Sequence, residues 1–204
     1  LTLLSARAQV LRRQLGRGLE PAAYEAEVDG LVADARDLAG TLEDLLSAAD
    51  PRFCAEPVPV ELAELAGQVT AASTGFALEH GVTLRCVAVE PVLVAGTAAA
   101  LRRALTALVH NAVRHAGGSA VVSVERSRTE AVVEVTDDGP GIEPSVRPRL
   151  FSRFATGTPV RGLRRSGLGL ALVSDIAHQH GAVVSAQSSP GQTTFRLTFP
   201  RYLD

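Results

Sequence analysis

Two glycine clusters lie between Val133 and Leu172, and nothing else in the chain restricts the backbone so tightly. The first, Asp137-Asp138-Gly139-Pro140-Gly141-Ile142, follows a run rich in β-branched residues, Val132-Val133-Glu134-Val135-Thr136. The second, Ser166-Gly167-Leu168-Gly169-Leu170, opens an apolar helical pattern that ends at His180. Glycine lacks Cβ, so backbone built from it can approach a flat ring or a phosphate closely. A carboxylate at a strand end, such as Asp137, can accept a hydrogen bond from an exocyclic amino group, and Pro140 stiffens the turn that follows. Free backbone N–H groups at a helix start form an anion site, which suits Gly167 and Gly169. Both clusters also have a plainer reading. D-G-P-G occurs as an ordinary turn, and G-x-G can serve close packing of a helix on a sheet.

The segment between the clusters and the helix before them add to the pattern. Phe151 and Phe154 lie in L-F-S-R-F, and residues 155–166 carry Arg161, Arg164 and Arg165 among glycines and threonines. Such a polar stretch is long enough for a lid, or for a surface loop. Upstream, residues 107–116 read A-L-V-H-N-A-V-R-H-A. Asn111 sits mid-helix, where Asn has poor propensity. Its amide oxygen suits Mg²⁺, which takes oxygen ligands. Arg114, three residues on, shares nearly the same face and can meet a phosphate, with His115 next to it. A polar helix end facing water is the alternative.

Composition narrows the class. The chain of 204 residues is 46 % hydrophobic, enough for a core, and its net charge of −2 gives no electrostatic case for a nucleic-acid partner. Cys54 and Cys86 match no metal-ligand spacing and read as thiols in a reducing compartment. No apolar run reaches the ~18 residues of a membrane helix. The piece is expected to be cytoplasmic, and the lack of any Met suggests part of a longer protein, with room for a membrane anchor upstream.

Three regions follow from the patterning. Residues 1–50 hold two heptad-like stripes, Leu1, Leu4, Ala8, Leu11, Leu15 and then Tyr24, Val28, Leu31, Ala35, Leu38, Leu42, Leu45, separated by Gly16 and Gly18. They predict an antiparallel helical hairpin that pairs with a second copy into a four-helix bundle, so a homodimer is expected. Packing of the hairpin on its own C-terminal domain is the other possibility. Residues 51–59, with Pro51, Pro57 and Pro59, read as a stiff linker. Residues 60–204 alternate between helical and strand patterns and close on hairpins, which predicts an α+β domain with helices layered on a mostly antiparallel sheet. Within it, residues 61–80 read as one helix, 98–115 as a long one and 148–154 as a short one.

Taken in order, these segments resemble the catalytic ATP-binding domain of bacterial sensor histidine kinases, within the superfamily that includes DNA gyrase B and heat-shock chaperone ATPases. A-L-V-H-N-A-V-R-H-A is similar to that family's asparagine box, D-D-G-P-G-I to its first glycine box, L-F-S-R-F to its phenylalanine box and S-G-L-G-L-A-L-V to its second glycine box. The resemblance implies an α/β sandwich that binds ATP and Mg²⁺. It implies Asn111 as the metal ligand, Asp137 on the adenine amino group, and Gly139, Gly141 and Ile142 around the base. It further implies His115 lining the pocket, Arg114 as the catalytic contact to phosphate, and Gly167, Leu168, Gly169 and Leu170 on the phosphate side. Phe154 and Arg164 belong to the lid. L-T-L-L-S-A-R-A-Q-V-L is similar to the dimerisation helix just after the phosphoacceptor motif, so the attacking His is expected upstream of Leu1. A response regulator receiver domain is the implied partner.

The chain departs from the family's pattern at Ala107, where a first Asn is usual, at Arg165, where a Gly is usual, and at Thr97, where an acid is common. Hydrolytic relatives place a water-activating Glu four residues before the metal-binding Asn. Ala107 cannot take a proton, which favours a phosphotransferase over an ATP hydrolase. A dimeric scaffold with a degenerate pocket is the remaining alternative.

Overall fold

The computed structural model describes residues 57–88, 90–153, 155 and 167–200. The predicted helical hairpin, Phe154 and Arg164 lie outside these residues. The described elements are β1 (Val58–Glu61), α1 (Leu62–Ala72), α2 (Thr74–Glu79), β2 (Thr83–Ala88), β3 (Leu93–Gly96), α3 (Ala98–His115), β4 (Ser119–Arg126), β5 (Glu130–Asp137), a 3₁₀ turn (Arg147–Arg149), α4 (Gly169–Gln179), β6 (Val183–Ser189) and β7 (Gln192–Pro200).

Strict alternation in β4, β5 and β7 explains the sheet. Ala120, Val122 and Val124, then Ala131, Val133 and Val135, then Phe195, Leu197 and Phe199 are all buried on one face. They meet across the ladders: Val122 faces Val135, which faces Phe195, and Val124 faces Val133, which faces Leu197. The strand order is β2-β4-β5-β7-β6. Only the β2–β4 pairing is parallel. The alternate positions carry polar groups on the other face. There Arg196 pairs with Glu134, and the hydroxyls of Thr136 and Thr194 lie 2.9 Å apart. One apolar face calls for a helical layer, and α1, α3 and α4 supply it through Leu62, Leu65 and Val69, through Leu101, Leu105, Leu108 and Val109, and through Val173 and Ile176.

The structure departs from the sequence reading at three places. The helix expected over residues 61–80 is broken at Ser73 into α1 and α2. The Thr70 and Thr74 hydroxyls donate to the carbonyls four residues back, a habit that bends helices, and Ser73 closes the first segment by donating its N–H to Val69 and Thr70. Secondly, Val58 and Pro59, read as linker, belong to β1, which pairs antiparallel with β3 in a two-stranded ribbon. Proline is tolerated on such an edge strand. The short helix expected over residues 148–154 is reduced to the 3₁₀ turn Arg147–Arg149.

Glu61 ends β1 and starts α1. Its carboxylate caps the helix by accepting from the Ala63 and Glu64 N–H groups, and also accepts from the Val92 N–H at 2.8 Å. One side chain thus ties the ribbon to the helical layer. Glu61→Ala should destabilise the domain by about 1–2 kcal/mol, the range for a lost N-cap. The midpoint of urea unfolding checks this.

Candidate nucleotide site

The alternation that builds the core also places the central group of the site. Ala131, Val133 and Val135 point at the helices, so the next position of that parity, Asp137, must do the same. It does: Asp137 is 2 % exposed, at the last residue of β5. Its Oδ1 accepts from the Gly139 N–H at 2.9 Å, while Oδ2 is buried with no hydrogen-bond partner among the described residues. Burial pushes this carboxyl up to about 6. The Gly139 N–H opposes that, and the neighbouring Asp138 charge adds to it. A buried acceptor left unpaired is costly to a fold. It is also a ready seat for an N–H of a ligand. Thr193, 5 % exposed, lies directly opposite on β7.

The glycines of the first cluster are demanded by their surroundings. A Cβ on Gly139 would sit 2.3 Å from the His115 carbonyl oxygen and 2.6 Å from Asp137 Oδ1. The loop therefore presses on the C-terminal end of α3. Gly141 has φ +96°, a conformation that side chains rarely adopt, and a Cβ there would lie 3.0 Å from Ser188 Oγ. Ile142 follows, half-buried against the core, and donates its N–H to Ser188 Oγ at 2.7 Å. Arg147 clamps the same loop by donating to the Ile142 carbonyl at 3.1 Å and the Ser188 carbonyl at 3.2 Å.

On α3, Asn111 and His115 lie one turn apart and are half-buried. The Asn111 amide makes no hydrogen bond among the described residues, so its oxygen is available. Ala107, a turn earlier, is half-buried against the core. Arg114 is exposed, with its guanidinium carbon 5.4 Å above the Phe76 ring. That ring also stacks on His80 and His110, with centroids 4.2 and 4.4 Å away. His110 therefore faces α2. Burial first, then the charges of Arg114 and His80, lower its pKa to about 4, so it is neutral near pH 7.

At the second cluster, Gly167 has φ +65° and Leu168 occupies the N-cap of α4 without a capping side chain. Leu170 is half-buried against the core. A Cβ on Gly169 would meet nothing within 4 Å. Close packing of helix on sheet therefore does not account for this glycine, and no side chain among the described residues caps the first N–H groups of α4. Phe151 packs edge-on against Phe195 at 6.4 Å, which anchors the near end of the segment between the clusters.

Sequence reasoning missed four groups. Thr193 and Ser188 come from strands distant in sequence, brought to the glycine loop by the pairing of β7 with β5 and β6, whereas Arg147 folds back from the 3₁₀ turn five residues after Ile142. His180, which the sequence marked only as the end of a helical run, bridges two helices. It accepts the Thr97 N–H on Nε2 at 3.0 Å, so its ring proton sits on Nδ1 and is donated to the Ile176 carbonyl at 2.8 Å. The position of His180 at the end of an apolar helical run was its one sequence signal.

A family model described as histidine kinase-, DNA gyrase B-, and HSP90-like ATPase matches residues 96–203, more than half of the chain. The chain belongs to this ATPase family. Among its relatives is the probable sensor histidine kinase TcrY of Mycobacterium tuberculosis, 32 % identical over 189 residues, which are 90 % of this chain and 40 % of TcrY. The sensor protein IrlS of Burkholderia pseudomallei is 29 % identical over 208 residues, covering 99 % of this chain and 44 % of IrlS. The chain thus spans less than half the length of either relative. A solved chain of the mycobacterial sensor histidine kinase MprB superposes with a TM-score of 0.62 at 25 % identity, covering 72 % of this chain and 99 % of that solved chain. A solved chain of the Acinetobacter baumannii histidine kinase AdeS shares the fold, with a TM-score of 0.72 at 19 % identity over 99 % of this chain and 95 % of that solved chain. Among the described residues no helix is long and apolar enough to cross a membrane.

Proposed function

We propose that the chain is the ATP-binding catalytic part of a cytoplasmic sensor histidine kinase core. In this reading it transfers the γ-phosphoryl of Mg-ATP to a His on a dimerisation helix, and a response regulator Asp then receives the group. The observation that carries the pocket is the unpaired, buried Oδ2 of Asp137 beside two glycines that admit no side chain. Adenine offers an amino N–H that would satisfy that oxygen. Gly139, Gly141 and Ile142 then flank the base, with His115 at the pocket wall. The donor set also fits a magnesium ion held largely by phosphate. Among the described residues no cluster of three His, Cys, Asp or Glu side chains competes for a metal, and Asn111 offers one neutral oxygen. When bound, Mg²⁺ would supply charge neutralisation at the phosphates.

The residues of this chain act by positioning. Asn111 orients the phosphate end, and the backbone around Gly167, Leu168, Gly169 and Leu170 faces phosphate oxygens with N–H groups. Arg114 brings a cation when it leaves the Phe76 ring, and Phe154 and Arg164 act in the lid that excludes water. Ala107 supports transfer over hydrolysis, because the position one turn before Asn111 holds no base to activate water, and His110 faces Phe76 on α2 instead. The heptad stripes of residues 1–50 support a homodimer whose four-helix bundle presents the acceptor His. With Mg²⁺ present, Asn111→Ala should lower affinity for a non-hydrolysable ATP analogue by at least about tenfold, as metal-site losses do. With EDTA the two proteins should bind it alike. Equal affinity in Mg²⁺ would remove Asn111 from the site.

A further inference from the structure

We propose that Asp138 is a positioning residue that joins the α3 end carrying Asn111 and His115 to the β5 end carrying Asp137, and so fixes the two halves of the nucleotide pocket relative to each other. The inference rests on the pocket described under the proposed function. Asp138 is exposed, and a carboxylate there would ordinarily be left to water. Instead its Oδ1 accepts three successive backbone N–H groups, from Gly117 at 2.8 Å and from Gly118 and Ser119 at 3.0 Å. Its Oδ2 accepts the Ser119 hydroxyl at 3.0 Å. The contact is reciprocal, since the Asp138 N–H donates to the Ser119 carbonyl and a Cβ on Gly117 would lie 3.2 Å from the Asp138 carbonyl oxygen.

The apolar face of α3 already holds the helix on the sheet. Such packing is non-directional, so it sets the helix end less sharply than hydrogen bonds do. Four directional hydrogen bonds from the turn just past the helix, Gly117 to Ser119 at the start of β4, add a directional restraint there. They act one residue from Asp137, and next to the loop where Gly139 meets the His115 carbonyl. The same N–H groups hold the Asp138 carboxyl down at about 2, so it stays charged beside Asp137. The groups facing Asp137 are this charge on its own strand, the Thr193 side chain on β7 and the α3 end with His115. Asp138 therefore also raises the pH at which Asp137 loses its proton.

Calorimetric titration of the full chain with Mg²⁺ and a non-hydrolysable ATP analogue, from pH 5 to 8, tests this. Asp138→Ala should weaken binding by about tenfold or more, as a misplaced catalytic frame does. In Asp138→Asn the side-chain oxygen can still take the three N–H groups, so most of the affinity should return. The acid limb of its pH profile should move to lower pH, an effect that loss of stability alone would not produce. A folded Asp138→Ala chain that binds like wild type overturns the proposal. If that variant does not fold, an unmoved acid limb in Asp138→Asn overturns it instead. Failure of the wild-type chain to bind at all would count against the pocket itself.

Discussion

Asp137→Asn should weaken ATP binding while making the nucleotide-free domain more stable near neutral pH. The binding loss is expected to be ~1–3 kcal/mol, the range for one charged hydrogen bond in a buried site. The stability gain follows from the cost of burying the charge. The carboxyl rises from an ordinary 3.8 to about 6 in the folded chain, so folding disfavours its ionised form. Its contribution favours the native state below pH 3.8 and is lost as pH rises through 6. Removing that charge is worth at most about 3 kcal/mol above pH 6, at about 1.4 kcal/mol per pH unit. The unpaired Asn amide takes back part of this, leaving about 1–2 kcal/mol. Thermal unfolding at pH 5 and pH 7.5 checks the sign. The variant should gain on wild type at the higher pH and lose most of that advantage at the lower. A variant less stable than wild type at pH 7.5 would show that Asp137 is stabilised by a partner rather than strained.

Gly139→Ala should be the most damaging single methyl in the domain. The added Cβ would meet a backbone carbonyl, not the end of a flexible side chain, so either the loop or the end of α3 has to move. Overpacking of this kind costs about 1–3 kcal/mol. It also pushes Asp137 and the α3 residues apart, so affinity for an ATP analogue should fall further than stability does. The contrast is Gly169→Ala, where the new methyl meets open space in the nucleotide-free chain and the fold should tolerate it. Melting temperatures and analogue affinities of the two variants, measured together, separate crowding of the fold from crowding of a ligand.

The parts of this domain that could be read from sequence are those written in local periodicity. The alternation in β4, β5 and β7 and the apolar stripe of α3 gave their elements near their observed bounds, and the box order pointed to Asp137 and Asn111. What could not be read depends on pairing between distant segments. Nothing local says that β2 runs parallel to β4, or that Thr193 lies opposite Asp137. The break at Ser73 needs hydroxyls turned onto their own helix, which a hydrophobic stripe does not record. Asp138 was passed over because the second acid of a doublet before Gly-Pro-Gly reads as a turn residue. Its three N–H partners come from a loop that follows another element. His180 was passed over for the same reason, since its partner is the Thr97 N–H at the start of α3.

The most direct test is base selectivity. Calorimetric titration of Mg²⁺ complexes of non-hydrolysable ATP and GTP analogues into the same chain asks whether Asp137 reads an amino group. Guanine presents a carbonyl where adenine presents its amino group, and a carboxylate oxygen facing a carbonyl gains no hydrogen bond and suffers repulsion. Micromolar binding of the ATP analogue, with the GTP analogue weaker by about 100-fold or more, is the expected result for a site built to pair a ligand N–H. Equal affinity for both, or no binding of either by the folded chain, would contradict the account.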